Sequence, residues 1–281
     1  MRGKTGWQRA IALLFAVLWL LLAPAALAEE QRDIFIAPKL SQDADPYDPE
    51  HPEELSEDQL YAQAAILVEA STGKVIFEKN ADSQMYPAST TKVLTVLLGV
   101  TYGDLTSDVT LDSIAGDIPS DSSTIPLDIG ETVNFNDLLY ATMVRSGNEG
   151  ANLIAETVSG NINDFVGLMN QAAATYGCTG THFANPSGYH DENHYTTARD
   201  MSLIACAAMQ SPLFRDIAKT YTYSMPRSNV HRSRVLVMTN NGDSFINPRE
   251  DNEFYYAGSI GIKTGYHSKA GYCYVAAAER D

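Results

Sequence analysis

The segment Tyr86-Pro-Ala-Ser-Thr-Thr-Lys92 decides the fold prediction for this chain. Residues 88–98 follow a proline and contain no helix-breaking residue before Gly99, a pattern typical of a helix with proline at its start and glycine at its end. Ser89 and Lys92 are three residues apart, so their side chains share one face of that helix. The pattern predicts a hydroxyl and an amine side by side at a helix N-terminus.

This pairing indicates a candidate nucleophile and its base. A serine hydroxyl reacts poorly unless a neighbouring base accepts its proton. Lys92 fills that role only if its pKa is lowered, and burial together with a second cation such as Lys263 would lower it. Backbone N–H groups at the helix N-terminus would stabilise an oxyanion formed beside Ser89. Taken alone, the motif equally describes a capped helix with a surface lysine.

A second motif, Ser146-Gly147-Asn148, falls between two predicted helices. Glycine permits a tight turn there, and the resulting loop could project into a cleft. Ser146 offers a second hydroxyl to relay a proton to a leaving amine, and Asn148 offers an amide for both the substrate backbone and the lysine. As an isolated tripeptide, the motif is explained equally well by an interhelical turn.

The third motif, Lys263-Thr264-Gly265, ends a β-rich run over residues 259–262. An edge strand can bind an extended peptide through main-chain hydrogen bonds. Lys263 and the Thr264 hydroxyl would hold a terminal carboxylate, and Gly265 would let the substrate approach closely. A hairpin shoulder is the alternative, since residues 266–269 resemble a turn.

The pattern around these motifs predicts strands, then helices, then strands. Residues 64–70 and 74–78 flank Ser71-Thr72-Gly73 and predict a β-hairpin. Helices are predicted from Asn134 to Val144, over 150–158, after an Asn163 cap, and over 198–209 after a Thr197 cap; strands are predicted over 235–239, 259–263 and 272–278. We expect an α/β (α+β) fold, in which an antiparallel sheet from both chain ends is flanked by a helical block.

The N-terminus predicts export. Basic residues at 2, 4 and 9, an apolar run over 10–22 and Ala26-Leu27-Ala28 are typical of a secretory signal peptide spanning residues 1–28. A membrane anchor is the alternative, but the apolar run is short for a span. Residues 29–59 hold eleven acidic and two basic side chains and several prolines, which predicts an acidic, disordered leader. Residues 60–281 remain for one catalytic domain.

Charge, cysteines and histidines exclude several other classes of protein. The formal net charge of −16 leaves no basic surface for nucleic acid or anionic membrane. The cysteines at 178, 206 and 273 have no C-x-x-C spacing and are interpreted as small thiols of the core. His190-Asp-Glu-Asn-His194 is not the zinc order H-E-x-x-H, and Asn185-Pro186-Ser187-Gly188 before it predicts a loop. No metal or cofactor is predicted.

With these residues in place, the chain resembles the low-molecular-mass penicillin-binding proteins, specifically the serine-type D-Ala-D-Ala carboxypeptidases. The resemblance covers about residues 64–280 and includes, besides the three motifs, the segments Glu69-Ala-Ser-Thr-Gly73, Thr181-His-Phe-Ala-Asn185 and Ala270-Gly-Tyr-Cys-Tyr-Val-Ala276. It implies a penicillin-recognising fold with the active site between sheet and helical block. It also implies peptidoglycan stem peptides and β-lactam antibiotics as binding partners, outside the cytoplasmic membrane.

The resemblance implies a role for each motif residue. Ser89 would be the nucleophile, Lys92 its base, and Ser146 with Asn148 the second catalytic element. The substrate carboxylate would be held by Lys263 and Thr264, with Gly265 giving room. The backbone N–H groups of Ser89 and Tyr266 would form the oxyanion hole. Glu149 stands where relatives usually carry aspartate.

Three other functions are compatible with these motifs, and the chain differs from the resembled family at one end. A D,D-endopeptidase would use the same residues, a β-lactamase would need an E-x-x-L-N segment that is not evident, and a non-catalytic wall-binding or penicillin-sequestering domain would keep only the fold. Relatives continue beyond residue 281 with a further strand, a closing helix and often a membrane anchor. We therefore expect this chain to be part of a longer protein and the strand at 272–278 to lack a partner.

Overall fold

The structure is a computed structural model that describes residues 60–232, 236–240 and 242–279. The predicted signal peptide over 1–28 and the acidic leader over 29–59 lie outside the described residues. Both therefore stay predictions.

The described chain begins with the predicted hairpin. Strand β1 (Ala65–Glu69) pairs antiparallel with β2 (Lys74–Lys79). Gly73 closes the turn at φ +77°, a left-handed conformation that glycine adopts without steric cost, and its N–H donates to the Glu69 carbonyl at 2.8 Å. The turn chemistry in the sequence thus located this hairpin correctly.

The helix predicted over 88–98 differs from the prediction at both ends. Ala88–Thr91 form a 3₁₀ turn, and the α-helix α1 runs over Lys92–Tyr102. Gly99 does not end it, because its role is close packing: a Cβ there would lie 2.7 Å from Leu139 Cδ2 and 3.1 Å from Ile154 Cγ2. The helix ends instead before Gly103, and residues 92–99 are all buried.

Among the described residues, five further helices surround α1. They are α2 (Phe135–Arg145), α3 (Asn148–Ser159), α4 (Ile162–Thr175), α5 (Ala198–Met209) and α6 (Pro212–Ala218). The Thr197 cap was predicted correctly, and its side chain accepts the Asp200 N–H. Asn134, predicted as the first residue of α2, is its N-cap and accepts the Asn136 N–H. The cap of α4 is Asn161 rather than Asn163, because the Asn161 side chain accepts the Asp164 N–H at 2.9 Å. Helix α3 begins two residues before its predicted start, and α6 was not predicted.

One hydrophobic core joins these helices. Leu97 of α1, Leu138 of α2, Ile154 of α3 and Phe165 of α4 are all fully buried in it. Helix α1 is apolar around most of its circumference, as expected of a helix enclosed by others. Its first turn is therefore held in a rigid setting.

The remaining strands form three antiparallel pairs. Strand β3 (Asp108–Thr110) pairs with β4 (Thr132–Asn134), β5 (Thr222–Met225) with β6 (Leu236–Thr239), and β7 (Ser259–His267) with β8 (Gly271–Ala278). Lys263-Thr264-Gly265 lies inside β7 and not at a hairpin shoulder, since the turn comes only after His267. Strands β3, β4 and β5 were not predicted, being short and without a clear apolar alternation.

Antiparallel hairpins thus form at both ends of the described chain around the predicted helical block, but the single sheet expected from both ends is not formed among the described residues. Helix α5 packs against both β1 and β8, which brings the two hairpins to the same helix. Among the described residues each hairpin is a separate two-stranded sheet, and β8 pairs with β7 alone. Within the same residues, no helix combines the length and apolarity needed to cross a bilayer.

Candidate active site

The 3₁₀ turn before α1 carries Ser89, which is partly exposed. Ala88 adopts φ +47°, an unusual conformation for a residue with a side chain. Gly188 packs directly on this turn: at φ +80°, an added Cβ would lie only 1.8 Å from the Ala88 carbonyl oxygen. Close packing therefore fixes the backbone that carries the candidate nucleophile.

Lys92 is completely buried and contacts three oxygen atoms. Its Nζ lies 3.2 Å from Ser89 Oγ, 2.8 Å from Asn148 Oδ1 and 2.6 Å from the Ser187 carbonyl oxygen. A neutral amine would donate two protons to the Asn148 and Ser187 oxygens and direct its lone pair at the serine hydroxyl. The geometry therefore suits proton transfer from Ser89 to Lys92.

The electrostatic setting favours that neutral amine. Burial, and after it the positive charge of Lys263, lowers the pKa of Lys92 well below its ordinary value, while Glu149 opposes the shift. Burial also lowers the pKa of Lys263, to about 8, against the opposing charge of Asp243. Desolvation disfavours the charged form of a lysine, and a nearby like charge adds to that effect.

Ser146-Gly147-Asn148 forms the turn between α2 and α3. Ser146 adopts a left-handed conformation at φ 59°, and its buried Oγ has no hydrogen-bond partner among the described residues. A side chain at Gly147 would collide with Ile125, whose Cγ1 would lie 2.5 Å from the added Cβ. The structure therefore brings Asn148 into direct contact with Lys92, whereas Ser146 makes no such contact.

Strand β7 packs against the 3₁₀ turn that carries Ser89. A Cβ on Gly265 would lie 2.9 Å from the Ser89 nitrogen, so the missing side chain is what lets β7 approach the 3₁₀ turn. The Lys263 side chain is buried, and its Nζ donates to the Thr264 carbonyl oxygen at 2.8 Å. Thr264 is partly exposed, and the Tyr266 side chain is 61% exposed.

Sequence reasoning missed the loop that completes the Lys92 environment. Residues 185–188 were interpreted only as a loop, yet the Ser187 carbonyl accepts from Lys92 and the Pro186 carbonyl accepts from Thr95 Oγ1 at 2.6 Å. Asn185 Oδ1 holds this loop by accepting the N–H groups of Ser187 and Gly188. The dense Asn-Pro-Ser-Gly turn chemistry was the available indication of a structured loop.

His194, weighed earlier as a zinc ligand, has a structural role instead. Its Nδ1 accepts the Ala184 N–H at 3.1 Å, and its Nε2 lies 2.8 Å from Thr91 Oγ1. Burial lowers the pKa of His194 to about 4, so the ring is neutral near pH 7. Nε2 thus joins the 182–196 segment to the 3₁₀ turn, while Nδ1 holds that segment together.

One other group of side chains could offer metal ligands. Asp128, Glu131 and His231 bring one potential ligand atom each to within 4.8 Å of one another. His231 Nε2 is already 2.8 Å from Asp128 Oδ2, and Glu131 accepts from Ser228 Oγ at 2.6 Å. This group shares no residue with the predicted site.

The chain is similar to known proteins of one peptidase family. The sequence profile of the D-alanyl-D-alanine carboxypeptidase family, peptidase family S11, matches residues 51–281. The D-alanyl-D-alanine carboxypeptidase DacF of Bacillus subtilis is 33% identical over 222 residues, which cover 78% of this chain and 54% of DacF. A D-alanyl-D-alanine endopeptidase of Pseudomonas aeruginosa is 27% identical over 225 residues, covering 77% of this chain and 67% of that protein.

A solved structure shows the same fold. The crystal structure of the Streptomyces K15 DD-transpeptidase superposes with a TM-score of 0.70 at 30% identity, covering 78% of this chain and 85% of that chain. The present chain spans about half the length of curated relatives such as DacF.

Proposed function

We propose that this chain, which belongs to the D-alanyl-D-alanine carboxypeptidase family, is a serine peptidase. It would remove the terminal D-Ala from peptidoglycan stem peptides. β-Lactam antibiotics would acylate the same serine. The observation that carries the proposal is the buried Lys92 amine, 3.2 Å from Ser89 Oγ, with its pKa held well below the ordinary value. A surface lysine beside a capped helix would have neither property.

In the proposed reaction, Lys92 accepts the Ser89 proton as Oγ attacks the carbonyl carbon of the D-Ala-D-Ala bond. The backbone N–H groups of Ser89 and Tyr266 stabilise the oxyanion of the tetrahedral intermediate. The C–N bond then breaks, and the leaving amine receives the proton that Lys92 took from Ser89. Water finally hydrolyses the acyl-enzyme, with Asn148 keeping the lysine in place.

Residues of β7 would bind the substrate. The buried Lys263 supplies positive charge and Thr264 a hydroxyl for the terminal carboxylate, and Gly265 leaves room for the peptide backbone beside Ser89. We place the enzyme outside the cytoplasmic membrane, where cell-wall stem peptides are found, and the signal-like sequence over residues 1–28 supports that location.

An endopeptidase acting on cross-linked stem peptides is the second candidate. The similarity to the Pseudomonas aeruginosa endopeptidase favours it. Its chemistry at Ser89 would be identical, and only the leaving amine would differ.

The test is a Ser89→Ala variant, assayed for covalent labelling by a fluorescent penicillin and for D-Ala release from a stem pentapeptide. Removing the nucleophile should abolish both activities, while circular dichroism stays unchanged because Ser89 is only partly buried. Release of D-Ala from pentapeptides, compared with cleavage of cross-linked dimers, separates the two candidates. Persistent labelling of Ser89→Ala, with the adduct located on another residue, would contradict the proposal.

A further inference from the structure

Gly242 lies against the hydroxyl group that we expect to bind the substrate carboxylate. A Cβ added to Gly242 would lie 2.6 Å from Thr264 Oγ1 and 3.7 Å from Thr264 Cβ. The backbone of Gly242 is not in the left-handed region, so its conformation does not itself require glycine. A side chain at this position would therefore disturb one thing above all, the place of the Thr264 hydroxyl.

Hydrogen bonds hold Gly242 and the residue after it in place. The Gly242 N–H donates to Asn240 Oδ1 at 3.2 Å, directly after the end of β6. Only 1% of Asp243 is exposed. Its Oδ1 accepts the Phe245 N–H at 3.0 Å and the Tyr274 hydroxyl at 2.9 Å. The second of these bonds joins this segment to β8, 31 residues later in the sequence.

The residue of β8 that makes this bond is the partner of Thr264. Tyr274 and Thr264 lie directly opposite each other in the β7–β8 pair, so their side chains share one face of the sheet. The Phe245 ring also stacks on the Tyr274 ring, with centroids 5.8 Å apart and planes inclined by 20°. Tyr274 thus holds the segment of Gly242 on the face from which the Thr264 hydroxyl projects.

We propose that Gly242 is a specificity-determining residue for substrates with a free C-terminal carboxylate. Because Gly242 has no side chain, the Thr264 hydroxyl keeps its place and a carboxylate oxygen can reach it. Asp243 and Tyr274 are positioning residues, which hold Gly242 beside Thr264. The inference rests on the proposed function and deepens it, by adding a part of the carboxylate site that lies outside the three motifs.

A purely structural role for Gly242 would give a different result. If glycine were needed there only to avoid crowding between its segment and β7, a substitution would weaken the turnover of every substrate alike. If glycine shapes the carboxylate site, the loss is confined to ligands that carry that group. Comparing free-acid with amidated peptides therefore separates the two roles.

The first experiment measures kcat and KM of Gly242→Ala for a D-Ala-D-Ala peptide and for its C-terminal amide. The methyl group should displace the Thr264 hydroxyl, so KM for the free acid should rise about tenfold or more, as for the loss of one hydrogen bond to a charged group. KM for the amide and both kcat values should stay within about twofold of the wild type. An unchanged free-acid KM, or equal rises for both peptides, would overturn the proposal.

A double variant tests whether Gly242 acts through the hydroxyl. Once Thr264→Val has removed that group, the added methyl group has no carboxylate contact left to disturb. The free-acid KM of Gly242→Ala combined with Thr264→Val should therefore equal that of Thr264→Val alone within about twofold, which is a strong departure from additivity. Two effects that simply multiply would show that Gly242 acts elsewhere and would overturn the proposal.

The positioning role is tested with Tyr274→Phe, which keeps the ring beside Phe245 and removes only the hydroxyl bonded to Asp243. The free-acid KM should rise about two- to tenfold, less than for Gly242→Ala because the segment keeps its other hydrogen bonds. KM for the amide should not change. Tyr272→Phe is the matched control and should equal the wild type, since Tyr272 is 92% exposed on the same strand and the same face.

Two further outcomes have a fixed meaning. If Gly242→Ala does not fold, Tyr274→Phe decides the question, and an unchanged free-acid KM in that variant overturns the proposal. A wild-type protein that no penicillin acylates, and that releases D-Ala from neither peptide, would instead refute the proposed function itself.

Discussion

The two walls of the candidate site are built differently. The helix wall, formed by the 3₁₀ turn, the 146–148 turn and the 185–188 loop, holds Lys92 without any exposure and gives its amine three oxygen contacts. The strand wall, formed by residues 263–266 of β7, leaves Thr264 partly exposed and the Tyr266 side chain mostly so.

Under the proposed function, this difference would separate chemistry from recognition. The groups that would move a proton are fixed in place before substrate arrives, which avoids reorganisation during the reaction. Of the two groups that would meet the substrate carboxylate, Thr264 is partly exposed, whereas Lys263 is buried. Disturbing the helix wall should therefore affect every substrate, and disturbing the strand wall should affect only substrates with a free carboxylate.

The largest effect is expected from Gly188→Ala in the helix wall. The added methyl group would lie 1.8 Å from the Ala88 carbonyl oxygen, at φ +80°. We expect a loss in the free energy of unfolding of more than about 3 kcal/mol, combining left-handed strain with overpacking, together with loss of penicillin labelling.

Gly177→Ala is the matched control for this prediction. Its φ is +85°, but nothing lies within 4 Å of the added Cβ, so only the conformational cost of about 1–2 kcal/mol applies. Urea unfolding of the two variants measures the difference. Equal losses would mean that contact with the 3₁₀ turn does not constrain Gly188.

A smaller and selective effect is expected from Thr264→Val in the strand wall. The substitution keeps the shape but removes the hydroxyl, so binding of free-acid peptides should weaken by about 1.5–3 kcal/mol, the cost of one hydrogen bond to a charged group. Peptides with an amidated C-terminus should be affected far less. The measurement is kcat/KM for the two peptide series, and equal losses in both would argue against carboxylate recognition by Thr264.

Much of this arrangement could be predicted from the sequence where local chemistry decides the structure. The Ser71-Thr72-Gly73 turn and the Thr197 cap depend on neighbouring residues, and both were located correctly. The spacing of Ser89 and Lys92 predicted their contact, even though the turn is 3₁₀ rather than α-helical, because both geometries place residues three apart on one face.

What could not be predicted depends on contacts distant in sequence. Gly99 was taken for a helix stop because only the packing of Leu139 and Ile154 shows that it is a contact point. The Ser187 carbonyl accepts a hydrogen bond from Lys92, which lies 95 residues earlier in the sequence. No local sequence pattern predicts such a contact. The burial that raises the pKa of Glu149 likewise arises only when the 119–127 loop folds over the 146–148 turn.

The central claim, that the amine of Lys92 is the base that activates Ser89, is tested most directly by the pH dependence of Ser89 acylation in the wild type and in Lys92→Arg. Because the amine is the reactive form, the acylation rate should rise with pH through a midpoint well below the ordinary lysine pKa of 10.5. Arginine keeps the charge but cannot be deprotonated, so Lys92→Arg should show no acylation at any pH. A wild-type midpoint near 10.5, or an arginine variant acylating at the wild-type rate, would contradict the account.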